Sequence, residues 1–297
     1  ALPIYLVRHL HGGTKGHASS DLLGLSSYLV HALAEAGINV DHLMWQNTLL
    51  PYYLAFQSSD MRVRVIADLD TGNLTGLHFR MGISSSSVKH PQIFRYCPAC
   101  WRADLLQLGE VYVRRLFQLP GVFVCPEHDE LLCDTVVPYR PLASRAYWNF
   151  TPADATKNCT LVPASSDEMS LARMVALDSR RLLLQGASEH PRASVLGADY
   201  QRALQHLGLA SRNVHPGELE SMFLEQYPMS FLQKLGLAFE PGREGNWLRC
   251  FVRKTNKRFH PLQHILFRRF VERHLGIDCW TWMEAERWPC LSPMQSH

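Results

Sequence analysis

Cys97-Pro98-Ala99-Cys100 and, after 24 intervening residues, Cys125-Pro126-Glu127-His128 decide what the middle of this chain folds around. Each stretch sets two soft or borderline metal ligands two residues apart, the mark of a knuckle that aims both inward. The proline after the first ligand of each suits that tight turn. Two such knuckles facing one another make a tetrahedral Cys₃His shell, and thiolate with imidazole selects zinc. With all four positions filled by Cys97, Cys100, Cys125 and His128, no place is left for an activated water. The expected zinc is therefore structural. Chance proximity of buried cysteines is the competing reading, and it fits poorly with two separate pairs at ribbon-like spacing. Cys133, five residues past His128, reads as packing, and Cys159, Cys250, Cys279 and Cys290 have no partner at ligand spacing.

On either side of the knuckles the pattern is helical. Asp21-Leu22-Leu23 opens an apolar periodicity that stops at Gly37. Asp41 and Asp60 are candidate caps for two further helices, the first of them broken by Pro51, and a fourth runs through Leu74 to Met81. Ser84-Ser85-Ser86-Ser87 reads as an exposed hinge. Beyond a connector, Asp167 opens a helix with Met169, Met174, Val175 and Leu182 on its apolar face. Helices are then expected at Tyr200–Leu207, Pro216–Gln226, Ser230–Leu235, Gly245–Lys254 and Pro261–His274. The fold class is mainly α: a helical N-terminal region (1–90), a small zinc-finger module (91–140), a connector and helix (141–190), a C-terminal helical bundle with a helix-turn-helix (191–275), and a terminal segment (276–297).

Composition excludes several classes. At 297 residues, 46% apolar and 19% charged, the chain is neither disordered nor fibrous. No run of eighteen apolar residues suggests a membrane span, and no secretory address is visible. The chain opens on Ala1 in mid-pattern, as a piece of a longer protein would. Eight unevenly spaced cysteines argue against a secreted disulfide scaffold. The motifs of P-loop nucleotide hydrolysis, serine esterases and zinc proteases are absent, so no catalytic residue and no enzyme activity is expected.

The net charge of +3 conceals an asymmetry: nine Lys/Arg against two acids between Arg243 and Arg273 give that stretch +7 and leave −4 elsewhere. Such a local positive field suits a polyanion. In the helix expected at 245–254, Trp247, Leu248, Phe251 and Val252 share one face while Asn246, Arg249 and Arg253 fall on another. Lys254, Lys257, Arg258 and His260 stand in a short polar connector, and Pro261 begins a second helix on which Gln263, His264 and Arg268 are candidates to face outward. Helix, short turn, helix is how a recognition helix is presented to the major groove. Arg would read guanine edges, Gln adenine edges, and the flanking cations phosphates. A solvated basic face on a structural bundle is the plainer alternative.

Around the knuckles the sequence reads Phe94-Arg95-Tyr96-Cys97, then Gly109-Glu110-Val111-Tyr112-Val113-Arg114-Arg115, then Gln118-Leu119-Pro120-Gly121-Val122. With the four ligands this resembles the signature of the TniQ family. Asn47-Thr48-Leu49-Leu50-Pro51-Tyr52-Tyr53 upstream is similar to its longer TnsD branch. So are Trp247-Leu248, Phe251-Val252-Arg253-Lys254 and His260-Pro261-Leu262-Gln263-His264 downstream. The resemblance covers roughly residues 22–275, with Val113 and Phe117 standing where the family often has Trp and His. It implies a transposon target selector that binds double-stranded DNA at an attachment site. It further implies recruitment of an AAA+ ATPase regulator (TnsC-like) that brings the transposase, in a bacterial cytoplasm and at the nucleoid. The alternative it leaves open is an adaptor that docks on an RNA-guided CRISPR effector complex and binds little DNA itself; the +7 stretch argues against that.

Overall fold

Asn39 and Ser58 start the first well-capped helices. In the computed structural model, which describes residues 27–71, 76–139, 150–159, 165–184, 193–210, 214–253 and 258–276, Asn39 accepts the His42 N–H at 2.8 Å and Ser58 that of Met61 at 3.4 Å. Both satisfy donors a helix start leaves orphaned. The N-terminal part comprises α1 (Ser27–Glu35), α2 (Val40–Asn47), α3 (Leu50–Leu54), α4 (Ser59–Asp70) and α5 (Leu77–Arg80). Asp41 and Asp60, expected as caps, stand instead in first turns, where a carboxylate meets the positive end of the helix. Pro51, expected to end a helix, begins one: it lies in the first turn of α3, where no N–H is needed. Residues before Ser27 and the segment at Leu74 lie outside the described residues.

The knuckle region forms β1 (Ile93–Tyr96), α6 (Pro98–Leu108), a 3₁₀ turn at Arg115–Gln118 and β2 (Cys133–Pro138). A third strand, β3 (Ala155–Cys159), completes an antiparallel sheet in the order β1-β2-β3. Register pairs Tyr96 with Cys133 and Cys133 with Cys159. The stretch read from sequence as a connector thus supplies a strand across the boundary expected near residue 140. Its Tyr96 hydroxyl bond to the Thr156 carbonyl, 2.8 Å long, ties the two parts further.

The C-terminal helices are α7 (Ser166–Leu184), α8 (Ala193–His206), α9 (Pro216–Gln226), α10 (Met229–Leu235), α11 (Trp247–Val252) and α12 (Pro261–Leu275). Helix α12 packs on α7 and α8, and α7 reaches across to α3. One hydrophobic cluster runs from Met44 to Val271, through the knuckle cysteines, so the core is continuous across the stretches expected as separate domains. Within α12, Leu262, Ile265, Leu266, Phe267 and Phe270 have no exposed surface. All eight residues from Pro261 to Arg268 are buried. A helix covered on every side is a core helix, so the second element of the expected helix-turn-helix is not free to enter a groove in this structure. Among the described residues no helix is long and apolar enough to cross a membrane.

Candidate metal centre and basic surface

Cys97 caps the start of α6 and Cys100 lies in its first turn, so the first knuckle is a strand running straight into a helix. The second knuckle closes on itself: the Asp129 N–H donates to the Cys125 carbonyl at 2.9 Å and the Cys125 N–H to the Glu130 carbonyl at 2.8 Å. Asp129 takes a left-handed φ of 53°, which Asp tolerates better than most residues. Glu130 links the knuckles, accepting the Ala99 N–H at 3.1 Å.

The structure brings the four sequence-selected ligands together. Nδ1 of His128 lies 3.7 Å from the Cys97 sulfur, 3.4 Å from that of Cys100 and 3.5 Å from that of Cys125. The Cys100 and Cys125 sulfurs are 3.7 Å apart. A tetrahedron with Zn–S near 2.3 Å and Zn–N near 2.0 Å has edges of roughly 3.5–3.8 Å, so the spacing fits such an ion. The three cysteines are buried and His128 is exposed. Hydrogen bonds with Cys125 and Cys97, and then burial, push the Cys100 thiol up. Donation from Cys100 and Cys97 pulls the Cys125 thiol down. A bound cation would let all three sulfurs ionise.

Cys133 is not part of the shell. Its sulfur lies 3.6 Å from that of Cys159 across the β2–β3 pair, and its side chain packs with Tyr96, Trp101 and Val111.

Several motif residues that are not ligands hold the knuckles. The buried Arg95 donates to the Leu119 and Val122 carbonyls at 2.7 and 2.8 Å, and exchanges two bonds with the Gln118 side chain, at 3.0 and 2.8 Å. Gly121 has φ 78°, and a Cβ there would press on Leu235 and Leu262 at 3.1 Å. Arg114 and Asp104 form a two-pronged ion pair, both bonds 2.7 Å long. Arg115 donates to the carbonyls of Trp45, Thr48 and Leu183, tying the C-terminal ends of α2 and α7 to the module. The roles of these residues are not legible in the sequence, because most of their partners are backbone groups and side chains far along the chain. Phe117, one of the departures, is buried in the core.

The candidate DNA contacts are distributed differently from the expectation. Asn246 is the N-cap of α11, accepting the Arg249 N–H at 3.0 Å, and its amide donates to Glu220 at 2.6 Å. Arg249 makes two bonds to the buried Glu220 of α9, at 2.5 and 3.0 Å. His260 and Gln263 form a reciprocal cap at the start of α12. His264 stacks on Phe56 with ring centroids 4.3 Å apart, its Nδ1 3.1 Å from the Tyr200 hydroxyl. Arg268 is 2% exposed. All six are engaged within the bundle: Glu220 takes Asn246 and Arg249, His260 and Gln263 cap one another, and Phe56 meets His264 and Arg268. Arg253 and Arg258 are exposed, while Lys254 and Lys257 lie outside the described residues, as do Trp280, Trp282 and Trp288 of the terminal segment. The +7 stretch is also partly neutralised in space: besides Arg249 with Glu220, Arg269 pairs with Asp178 and Glu272. Arg243, Arg253 and Arg273 are exposed and have no acidic partner among the described residues.

Fold and site together define a mainly helical protein built around a Cys₃His cluster. A family model described as TniQ matches residues 3–132, and one described as Tn7-like transposition protein D (TnsD) matches residues 175–297. The transposon Tn7 transposition protein TnsD of Escherichia coli is 28% identical over 274 residues, which cover 88% of this chain and 51% of that protein. The chain thus spans about half the length of that relative. The two matches and this relative together support a TniQ/TnsD-family protein.

Proposed function

We propose that this chain is the target selector of a Tn7-like transposon: it binds double-stranded DNA at an attachment site and recruits an AAA+ regulator, which brings the transposase. The observation that carries the reading is the TnsD match over residues 175–297, the half of the chain in which Arg243, Arg253, Arg258 and Arg273 are exposed. Exposed guanidiniums on a rigid bundle suit phosphate contacts, which set register and give salt-dependent affinity. The Cys97, Cys100, Cys125 and His128 cluster would hold Zn²⁺, whose role is structural because protein ligands fill the tetrahedron. With Pro261–Arg268 of α12 buried, the reading assigns the phosphate contacts to the exposed Arg243, Arg253, Arg258 and Arg273.

Fluorescence polarisation on duplex DNA at several salt concentrations, with footprinting of a candidate attachment site, tests the reading. Sequence-dependent protection is expected, with affinity that falls steeply as salt rises. Arg253→Ala should weaken binding and reduce the salt slope by about one. Absence of any protection would favour instead an adaptor that docks on an RNA-guided complex.

A further inference from the structure

A cleft of about 950 Å³ opens where the loop after α5 meets the ends of α10 and α11; Phe79, Arg80, Ser85, Arg243, Trp247 and Arg258 lie on its walls. One wall comes from the TniQ-matched part and the other from the TnsD-matched part, so neither alone builds it. The loop is fastened in place. Lys89 donates its backbone N–H to the Leu235 carbonyl at 2.9 Å. Arg258 donates a guanidinium N–H to the carbonyl of Arg80. Across the cleft Arg243 is exposed, with Glu240 as the one acid on the lining.

The donors on the lining suit an anion. Arg243 and Arg258 are exposed, and Ser85, Ser86 and Ser87 stand opposite Arg243, while Arg80 is held at 2.7 Å by Asp68. At the rim, Phe79 is 70% exposed beside the serine hydroxyls, an aromatic ring offered to solvent next to three guanidiniums. Guanidinium and hydroxyl donors recognise phosphate, and an exposed ring adds an apolar face for sugar or base.

We infer that this cleft seats the sugar–phosphate backbone of a nucleic-acid strand, with phosphates on Arg243, Arg258 and the serine loop and Phe79 against the sugar–base side. The inference rests on the target-selector reading and names the surface that reading would use. A strand suits the site better than a free nucleotide because the cleft is open to solvent and its exposed arginines stand on both of its walls.

The test is duplex binding by this chain and four variants across a salt series, each variant first checked by thermal melting. Arg243→Ala and Arg258→Ala should each weaken binding several-fold and lower the salt slope by about one. Phe79→Ala should weaken binding with the slope unchanged, since its contact carries no charge. Arg173→Ala, an exposed cation on α7 paired with Asp129 at 3.0 Å, is the control and should change nothing. Wild-type binding with unaltered slopes in both cleft arginine variants overturns the inference while leaving the target selector standing. No duplex binding by the wild type removes the functional reading, and the inference with it. Displacement of the duplex by a mononucleotide at equal phosphate concentration would reassign the cleft to a free nucleotide and overturn the strand. If Arg258→Ala melts early, Arg243→Ala alone decides.

Discussion

His264 shows what a single residue contributes once its surroundings are known. Burial, and then the positive charge of Arg268, hold its pKa down to about 3; His260 is likewise lowered by burial and by His90 and His264. In the unfolded chain an imidazole takes up a proton near pH 6.5. Between about 6.5 and 3 the unfolded state therefore binds protons that the folded state refuses. Stability due to His264 is complete above that window and declines as the pH falls through it, at up to about 1.4 kcal/mol per pH unit. Urea midpoints at pH 7.5 and pH 5 should differ less in His264→Gln than in the wild type. An equal difference in both would mean that this imidazole is not the group excluded from protonation. The same residue was read from sequence as a DNA contact, and Arg268 with it. Their polarity was legible, but the Phe56 and Tyr200 rings that cover His264 lie some two hundred and some sixty residues away in the chain.

At the scale of elements, helix positions followed local chemistry closely and helix roles did not. Helix α9 spans the expected Pro216–Gln226, because proline opens it and Tyr227 ends the pattern. Helix α12 also begins at its proline, yet its inward and outward faces differ from the expectation, since α7, α8 and the N-terminal rings cover nearly all of it. The four-serine loop, expected as an exposed hinge, is exposed at Ser84, Ser85 and Ser87 and is pinned at the end of α10. There Gly236 has φ 76°, and a Cβ would stand 2.3 Å from the Ser87 carbonyl oxygen. Gly236→Ala should therefore cost about 1–3 kcal/mol from backbone strain, with the clash added to it. Loosening the loop should also speed amide exchange at Lys89, whose N–H is bonded to Leu235. An unchanged melting temperature in this variant would show that the junction is not rigid.

For the molecule as a whole, the knuckle cysteines belong to the same hydrophobic cluster as α3 and α12, so an ion held by them would brace the common core. Without an ion, three buried sulfurs would stay crowded within one shell. One zinc per chain is expected by colorimetric release, and a strong chelator should lower the melting midpoint by roughly 10 °C or more, with α7 and α12 loosening together. Cys100→Ser should reproduce the loss without chelator. Melting that is indifferent to both treatments would refute the metal assignment.

The sequence by itself determined the mainly helical class, the four Cys and His positions that the fold gathers into one cluster, and the family signature. Ligand spacing, capping residues and helical periodicity act over a few residues and are written directly in the chain. Tertiary structure alone decided that residues 155–159 add a strand, that Glu220 and Asp178 neutralise Arg249 and Arg269, and that α12 lies at the centre of the core. Each of these is a pairing between residues far apart in sequence. The Coulomb energy and buried area of such a pair depend on distances that only the folded chain sets.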